Sequence, residues 1–541
     1  MKAAYLVFLI GIAALPSIYF ITGAAIPFGN DWFCDTWYYF GLMEFPELGH
    51  VLAPGARTIS RLPAYVPVSA LRELGATATN QDLYFWLNHI LFVAATAAAL
   101  TALFEITTAL IVTALVTTSA LYLAVLSTTY PTGAALAYGS AALACVAIAL
   151  RAPRFFIALS FIGGIFLAFS LHSHLVAAVF MFFLPILYLM IDVRAFVVGA
   201  LAMCAGMIAG TGLVGMTGLY LGQGFWSFEN QILAVVSGIG VYWYNGWILR
   251  SIGLLLMVLL PVLQTITFVG RKRDSKRSLV ILVSAIAVSV INIVVTFAHK
   301  DQNLVFNFMY VMAIPVAVLV IADAIEDRVV FLGPLRCGII LATLMLCHIA
   351  ILAYLRHYIL LYFMPIASLG ALFAIVASWL YARSRSTTGG IVIVIGLFIF
   401  MQGALGDYYR DHLYLDRTAA KGNTQQIDKA LRFMRDFPIT DKPVVWLGKV
   451  DNQAVETGIF QSLVRCGFSI DFPDKFPDSD KQWQPALTVG HLLIVMDDPK
   501  KYPKIEETLA QKGITLANAK SEKIDDRLSI TMGKIAAVAP Q

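Results

Sequence analysis

Long apolar segments separated by short polar turns make up the chain as far as residue 406. A helix needs about 20 consecutive apolar residues to cross the hydrocarbon core of a bilayer. The pattern therefore predicts a polytopic α-helical membrane protein. Thirteen spans are predicted, near residues 5–26, 86–104, 107–126, 133–150, 155–171, 175–191, 195–221, 248–269, 279–297, 304–322, 335–355, 359–381 and 389–406.

From Asp407 onward the apolar stretches become short, as in a soluble protein. Ile427, Leu431 and Met434 have helical spacing and predict a helix that Thr424 would cap. Further elements are predicted as strands at Val444–Leu447 and Leu492–Met496, and as helices at 452–465 and 502–512, the last closed by Gly513. We therefore predict a membrane domain over residues 1–406 and a soluble α/β domain over residues 407–541.

Composition and charge agree with this division. The 541 residues have a mean hydropathy of +0.78 and only 13% of them are charged, against roughly 25% in an ordinary soluble domain. Residues 407–541 hold 19 of the 38 Lys and Arg and 19 of the 33 Asp and Glu. The net charge of +5 is small for this length and no long basic run occurs, so nucleic acid is not an expected partner.

The apolar run that ends at Ile26 has two interpretations. Lys2 and the sequence Gly23-Ala24-Ala25 resemble the start and the cleavage end of a signal peptide. The run is also long enough to span a bilayer, and further spans follow it. We therefore favour a retained first helix.

The basic residues of the short loops predict the orientation, because cytoplasmic loops are enriched in Lys and Arg. With the N-terminus in the cytoplasm, thirteen basic residues, including those of Arg271–Arg277, lie on the cytoplasmic side. Only Arg250, Lys300 and Arg356 lie in short outer loops. This orientation places the first loop, residues 27–85, and the tail from Asp407 outside a bacterial cytoplasmic membrane.

The six cysteines form no C-x-x-C pair, which argues against a structural zinc site. Cys34 and Cys466 are the two that the predicted topology places outside. A disulfide between them is a weaker hypothesis, since the outer compartment of a bacterium is oxidising.

The first outer loop carries candidate chemistry of two kinds. Asp31 and Asp35 are four positions apart, and a carboxylate at a membrane-edge cavity can act as a general base; the alternative is a loop acid solvated at the headgroups. Arg57 and Arg61 have the same spacing. A guanidinium grips phosphate through its planar fork, and the alternative for this pair is interface anchoring.

Other outer ends bring polar and aromatic groups toward the same face. His172 and His174 flank Ser173 at the end of one span, where a polar or substrate-facing role is favoured over a metal site. The pair His299-Lys300 is a candidate for phosphate contact, against a plain basic turn. The segment 210–215 matches G-x-G-x-x-G inside an apolar span, so close helix packing explains it better than dinucleotide binding.

Two motifs of the first loop resemble a known class. The sequences Asp35-Thr36-Trp37-Tyr38-Tyr39-Phe40-Gly41 and Ser60-Arg61-Leu62-Pro63 are similar to the first-loop motifs of bacterial family-39-like membrane glycosyltransferases. These belong to the GT-C class, which includes aminoarabinose transferases, protein O-mannosyltransferases and oligosaccharyltransferases. The resemblance implies a GT-C-like membrane domain, and the topology is similar over the whole chain.

The same resemblance implies an inverting transferase that uses a polyprenyl-phosphate-linked sugar as donor and a glycan, lipid or protein as acceptor, without a cofactor. The implied base is Asp35, with Asp31 in reserve. The implied phosphate ligands are Arg61, Arg57, Lys300 and His299, and the implied pocket residues are Trp37, Tyr38, Tyr39, His172, His174 and Tyr130. Metal dependence stays open. Two alternatives remain: a transporter or flippase of a lipid-linked sugar, and a non-catalytic membrane scaffold.

Overall fold

The computed structural model describes two parts of the chain, an apolar helical bundle and a smaller sheet. The described residues are 34–46, 61–117, 122, 125, 126, 130–226, 252–270, 275–297, 311–332, 417–435, 444–447, 459, 462, 469–471, 489–500, 504–511 and 513–538. The predicted spans near 5–26, 335–355, 359–381 and 389–406 lie outside these residues.

The first two described helices belong to the first loop, and the helices of the bundle follow them along the chain. The helices of the bundle and its loop are α1 (Cys34–Glu44), α2 (Leu62–Glu73), α3 (Asn80–Leu103), α4 (Ile106–Thr117), α5 (Thr132–Arg151), α6 (Phe156–Ser173), α7 (Val179–Ile186), α8 (Val193–Tyr220), α9 (Ile252–Gly270), α10 (Ser275–Phe297) and α11 (Ile314–Leu332). Short 3-10 turns at Pro153–Phe155, Leu175–Ala178 and Leu187–Met190 adjoin α6 and α7.

Within the described residues, five helices are long and apolar enough to cross a membrane: Asn80–Leu103, Thr132–Arg151, Pro153–Ser173, Val193–Tyr220 and Lys276–Val295. Shorter apolar helices occupy Ile106–Thr117, Leu175–Met190 and Met257–Val269. The predicted polytopic helical membrane protein is confirmed. The count of thirteen spans stays a prediction.

Polar caps decide where two of these helices begin. Thr79 accepts a hydrogen bond from the backbone N–H of Asp82, and Asp192 accepts one from Ala195. Such caps satisfy backbone donors that the helix itself cannot. Because a count of apolar residues omits a polar first turn, the predicted span 86–104 begins six positions later than α3, which begins at Asn80.

Small residues bring α6 and α8 close together. A methyl group added to Gly164 or Gly206 would collide with the backbone carbonyl of the facing helix. Gly210, the first glycine of the G-x-G-x-x-G segment, lies against Ile165 and Ala168 of α6, whereas Gly212 faces open space. Helix packing therefore explains the motif, as predicted.

A buried ion cluster joins three helices at one end of the bundle. Arg277 of α10 lies 2.5 Å from Glu326 and 3.5 Å from Asp323, both of α11. The same guanidinium donates to the carbonyl of Leu103 at the end of α3 (2.8 Å). Ser278 donates to Asp323 (2.6 Å), which is fully buried. Helix α11 extends beyond the predicted span 304–322, because this pairing compensates the charges of Asp323 and Glu326.

The tail forms one helix, α12 (Arg417–Arg435), and a five-stranded sheet with a second helix. The strands are β1 (Val444–Leu447), β2 (Ser469–Asp471), β3 (Leu492–Asp497), β4 (Ile514–Lys523) and β5 (Ser529–Val538), and α13 (Ile505–Gln511) follows β3. The strand order is β2-β1-β3-β5-β4. Strand β1 is parallel to β2 and β3, and β5 is antiparallel to β3 and β4.

Several predicted tail elements are confirmed and others are not. The strands at β1 and β3 and the helix closed by Gly513 are found, and Gly513 has a φ of +79°. The prediction that Thr424 caps a helix is wrong, because α12 begins at Arg417. The predicted helix 452–465 lies mostly outside the described residues, and the domain boundary at 406 stays a prediction.

Asp497 is the last residue of β3 and Asp498 follows it; the sequence of this acidic pair after a strand predicts a solvated loop. That expectation is wrong, because both side chains are buried. Ser529 of the neighbouring β5 donates to Asp497. Burial, with a smaller contribution from Asp498, raises the pKa of Asp497 from 3.8 to about 6, although the Ser529 hydrogen bond opposes the shift.

We expect this raised pKa to make stability fall as the pH rises from about 4 to 6, because the folded chain then binds more protons than the unfolded chain. The shift amounts to roughly 3 kcal/mol at most, at about 1.4 kcal/mol per pKa unit. Asp497→Asn should therefore raise the thermal unfolding midpoint in detergent at pH 7.5 more than at pH 5. An equal change at both pH values would contradict a titrating Asp497.

Candidate active site

Helices α1 and α2 carry the two first-loop motifs. Residue 35 lies in the first turn of α1, and Arg61 immediately precedes α2. Pro63 stands in the first turn of α2, where proline is well tolerated because the N–H it lacks would have no intrahelical partner. The fold of these short helices therefore brings the start of α2 beside α1.

The guanidinium of Arg61 lies close to two neighbouring tyrosine rings. Its central carbon is 5.3 Å from the ring centroid of Tyr39 on α1 and 5.3 Å from that of Tyr130, just before α5. The two rings meet edge to face, with their centroids 5.7 Å apart. Arg61 is only 8% exposed. Cation–π contacts use the face of a guanidinium, whereas its N–H donors lie in the plane and point outward.

His174 completes this group from the far side of Tyr130. Its ring centroid lies 5.7 Å from that of Tyr130, and its Nδ1 accepts a hydrogen bond from the N–H of Val176 (3.3 Å). Burial first, and then the charge of Arg61, lower the pKa of His174 well below its ordinary value. The ring is therefore neutral, and because its Nδ1 accepts a hydrogen bond, its proton is on Nε2.

Hydroxyl groups of the bundle hold the Arg61 cluster, which consists of Arg61, Tyr39, Tyr130 and His174. Tyr84 of α3 donates to the carbonyl of Tyr130 (2.7 Å) and accepts from the N–H of Ala134 (2.9 Å). Tyr138 of α5 donates to the carbonyl of Pro63 (3.0 Å). These bonds fix the segment before α5 and the start of α2 to the bundle.

Four residues that the sequence predicted for the site come together here: Arg61, Tyr39, Tyr130 and His174. His172 contacts α8 instead, where its Nε2 is 3.2 Å from the hydroxyl of Thr211. Asp31, Arg57, His299 and Lys300 lie outside the described residues, as does Cys466. Asp35, Trp37 and Tyr38 lie on α1, where the helix alone is described. The roles predicted for all these residues stay predictions.

Two hydroxyl groups next to the cluster escaped the sequence analysis. Thr132 and Ser173 are sequence neighbours of Tyr130 and His174, and both are buried. Neither side-chain oxygen has a hydrogen-bond partner among the described residues. Buried hydroxyls normally have one, so these two are candidates for contact with a ligand. A single Ser or Thr at the end of an apolar span gives no sequence signal of that kind.

The described residues contain no group of three or more His, Cys, Asp or Glu side chains placed to hold a metal ion. Metal dependence therefore stays open.

No family model matches the chain, and no curated protein matches its sequence. Solved structures do match its fold. ArnT from Cupriavidus metallidurans bound to undecaprenyl phosphate matches over 100% of both chains, with a TM-score of 0.51 and 14% identity; the apo form gives 0.49 and 15%. An oligosaccharyltransferase from Archaeoglobus fulgidus gives a TM-score of 0.40 and 10% identity, over 100% of this chain and 74% of its own. The chain is therefore similar in fold to ArnT, which confirms the predicted GT-C-like membrane fold.

Proposed function

We propose that the protein is an inverting glycosyltransferase that moves a sugar from a polyprenyl-phosphate donor to an acceptor at the outer face of the cytoplasmic membrane. The observation that carries the proposal is the buried Arg61, whose guanidinium lies close to the rings of Tyr39 on α1 and Tyr130. The fold supports it, because the structural neighbour ArnT was solved with undecaprenyl phosphate bound.

Arg61 has the chemistry to receive the phosphate of the donor. Two tyrosine rings lie within cation–π distance of its guanidinium, and the in-plane N–H groups are the part that can grip phosphate oxygens. As the sugar leaves, negative charge grows on the phosphate, and a preoriented cation at a site of low water content stabilises it strongly. His174, neutral with a proton on Nε2, adds a hydrogen-bond donor without adding charge. Arg57, His299 and Lys300 are further candidates for the same phosphate.

Asp35 is the proposed base. Its position is one helical turn before Tyr39 on α1, and residues four apart lie on one side of a helix. The acceptor hydroxyl oxygen attacks the anomeric carbon while the bond from that carbon to the phosphate oxygen breaks. Asp35 takes the hydroxyl proton, and the polyprenyl phosphate leaves with the electron pair. One displacement inverts the configuration, and no cofactor takes part.

The sequence supports an outer location for this reaction, through the excess of basic residues in the opposite loops. The acceptor class, whether glycan, lipid or protein, is open, and Trp37, Tyr38 and His172 are proposed to contribute to its pocket or to that of the sugar. The lipid tail of the donor would lie among the apolar helices.

A transfer assay in sealed membrane vesicles tests both the activity and the orientation. Radiolabelled polyprenyl-phosphate sugar is added to right-side-out and inverted vesicles that contain the protein and envelope acceptors. We expect the label to reach an acceptor in right-side-out vesicles only, and the rates with and without EDTA show whether a metal ion is needed. Label that crosses the membrane while still attached to its lipid would instead indicate a flippase.

A further inference from the structure

The tail helix α12 packs directly on the two helices that carry the proposed site. Its residues Ile427, Leu431 and Met434 are buried in one apolar cluster with Phe40 and Met43 of α1. The same cluster includes side chains of the tail sheet. Helix α12 therefore lies between the sheet and the first loop.

A buried ion network crosses this contact. Arg72, near the end of α2, pairs with Asp428 of α12, 356 positions away, and both are almost fully buried. Arg72 also donates to Asn80 (2.7 Å) and lies 3.6 Å from Glu44 at the end of α1. Glu44 in turn accepts from Asn80 (3.1 Å). The ends of α1 and α2 and the start of α3 thus meet at one carboxylate of the tail.

Asp428 also caps a helix of the bundle. The backbone N–H of Asn80, in the first turn of α3, donates to its carboxylate (3.0 Å). A negative charge at a helix N-terminus is favourable because the exposed N–H groups there carry partial positive charge. Arg432, one turn later on α12, bonds to the other oxygen of Asp428 (2.6 Å) and to the carbonyl of Thr77 before α3 (2.6 Å). The tail therefore contacts the turn between α2 and α3 and the start of α3 through both Asp428 and Arg432.

A second contact, without charge, fixes α1 itself. Gly41 of α1 touches the tail so closely that an added methyl group would collide with the backbone carbonyl of Ser462. No side chain fits between the two backbones at this point. Gly41 is six positions after Asp35 on the same short helix.

We propose that Arg72 and Asp428 are positioning residues, which dock the tail on α1 and α2 and thereby place Asp35 relative to Arg61. The positioning part rests on the proposed function, whereas the docking does not. Arg61 has its own anchors in the bundle, namely Tyr130 and the bond from Tyr138 to Pro63. Loss of docking should therefore shift α1 more than Arg61, and lower kcat more than it raises the KM for the donor.

The test compares Asp428→Asn with Asp323→Asn in the full-length protein. Both carboxylates are buried and paired with an arginine, but Asp323 lies in the α10–α11 cluster, away from α12 and the Arg61 cluster. Arg72 keeps Glu44 nearby in the first variant, which favours folding. Thermal unfolding in detergent, kcat and donor KM, and hydrogen exchange of residues 34–46 are measured for both.

For Asp428→Asn we expect faster exchange in α1 and a loss of about 10- to 100-fold in kcat, as a misplaced catalytic group causes. For Asp323→Asn we expect a lower unfolding midpoint with slow exchange in α1 and little loss of kcat. Gly41→Ala should behave like Asp428→Asn, and Gly212→Ala, on an open helix face, like the wild type.

Unchanged exchange in α1 of Asp428→Asn would overturn the docking. Equal losses of kcat in the Asp428 and Asp323 variants, in proportion to their unfolding midpoints, would overturn the positioning role and leave a purely structural one. If the wild type transfers no sugar while exchange in α1 of Asp428→Asn still rises, the proposed function fails and the docking stands.

Discussion

Arg61→Ala is expected to reduce sugar transfer about 100- to 1,000-fold at limiting donor, the size of effect seen when one preoriented donor to a developing anion is removed. Arg61→Lys should retain part of the activity, because lysine keeps the charge but not the planar fork. The guanidinium also lies within cation–π distance of Tyr39 and Tyr130, and a lysine ammonium would bring the charge to these rings without the planar group.

Inhibition by sugar-free polyprenyl phosphate separates phosphate binding from other roles of Arg61. The inhibition constant should rise in Arg61→Ala by a larger factor than in Arg61→Lys. Arg154→Ala is the matched control, since Arg154 is exposed in the short turn before α6. If Arg61→Ala transfers sugar at the wild-type rate at limiting donor, Arg61 only anchors the loop at the membrane interface.

The same residues show how much of the site a sequence can predict. Arg61, Tyr39, Tyr130 and His174 were all predicted for the site, because the resemblance of the first-loop motifs implied them and His174 lies at the outer end of a span. The contact of one guanidinium with both tyrosine rings was not predictable, since it depends on the contact between α1 and the turn before α5. His172 shows the limit of the argument, because it shares the end of α6 with His174 but faces Thr211.

Burial and long-range pairing were the features that escaped prediction. Helices such as α5 and strands such as β1 were predicted closely, because their patterns are local. Nothing local indicates that Asp428 would pair with Arg72, or that Asp497 would be buried against Ser529. A charged residue in a polar segment is expected to be solvated, and only the tertiary structure shows that it is buried and which residue pairs with it.

Asp35→Asn should lower the rate of transfer by about 100- to 10,000-fold, the usual cost of losing a general base. The substitution keeps the size of the side chain and removes the basic oxygen, so α1 should fold as before. Donor binding should persist, because the phosphate contacts are assigned to Arg61.

Asp31→Asn is the matched control for this variant. It removes the same charge four positions earlier in the same loop, and we expect a distinctly smaller loss. Transfer rate and donor affinity are measured for both variants, with folding checked by thermal unfolding in detergent. A dead Asp31→Asn beside an active Asp35→Asn would show that the family motif is aligned four residues out of place. If both variants stay active, the base lies outside the first loop. The position of Asp35 one turn before Tyr39 would then have no catalytic meaning, and the displacement proposed here would need another proton acceptor.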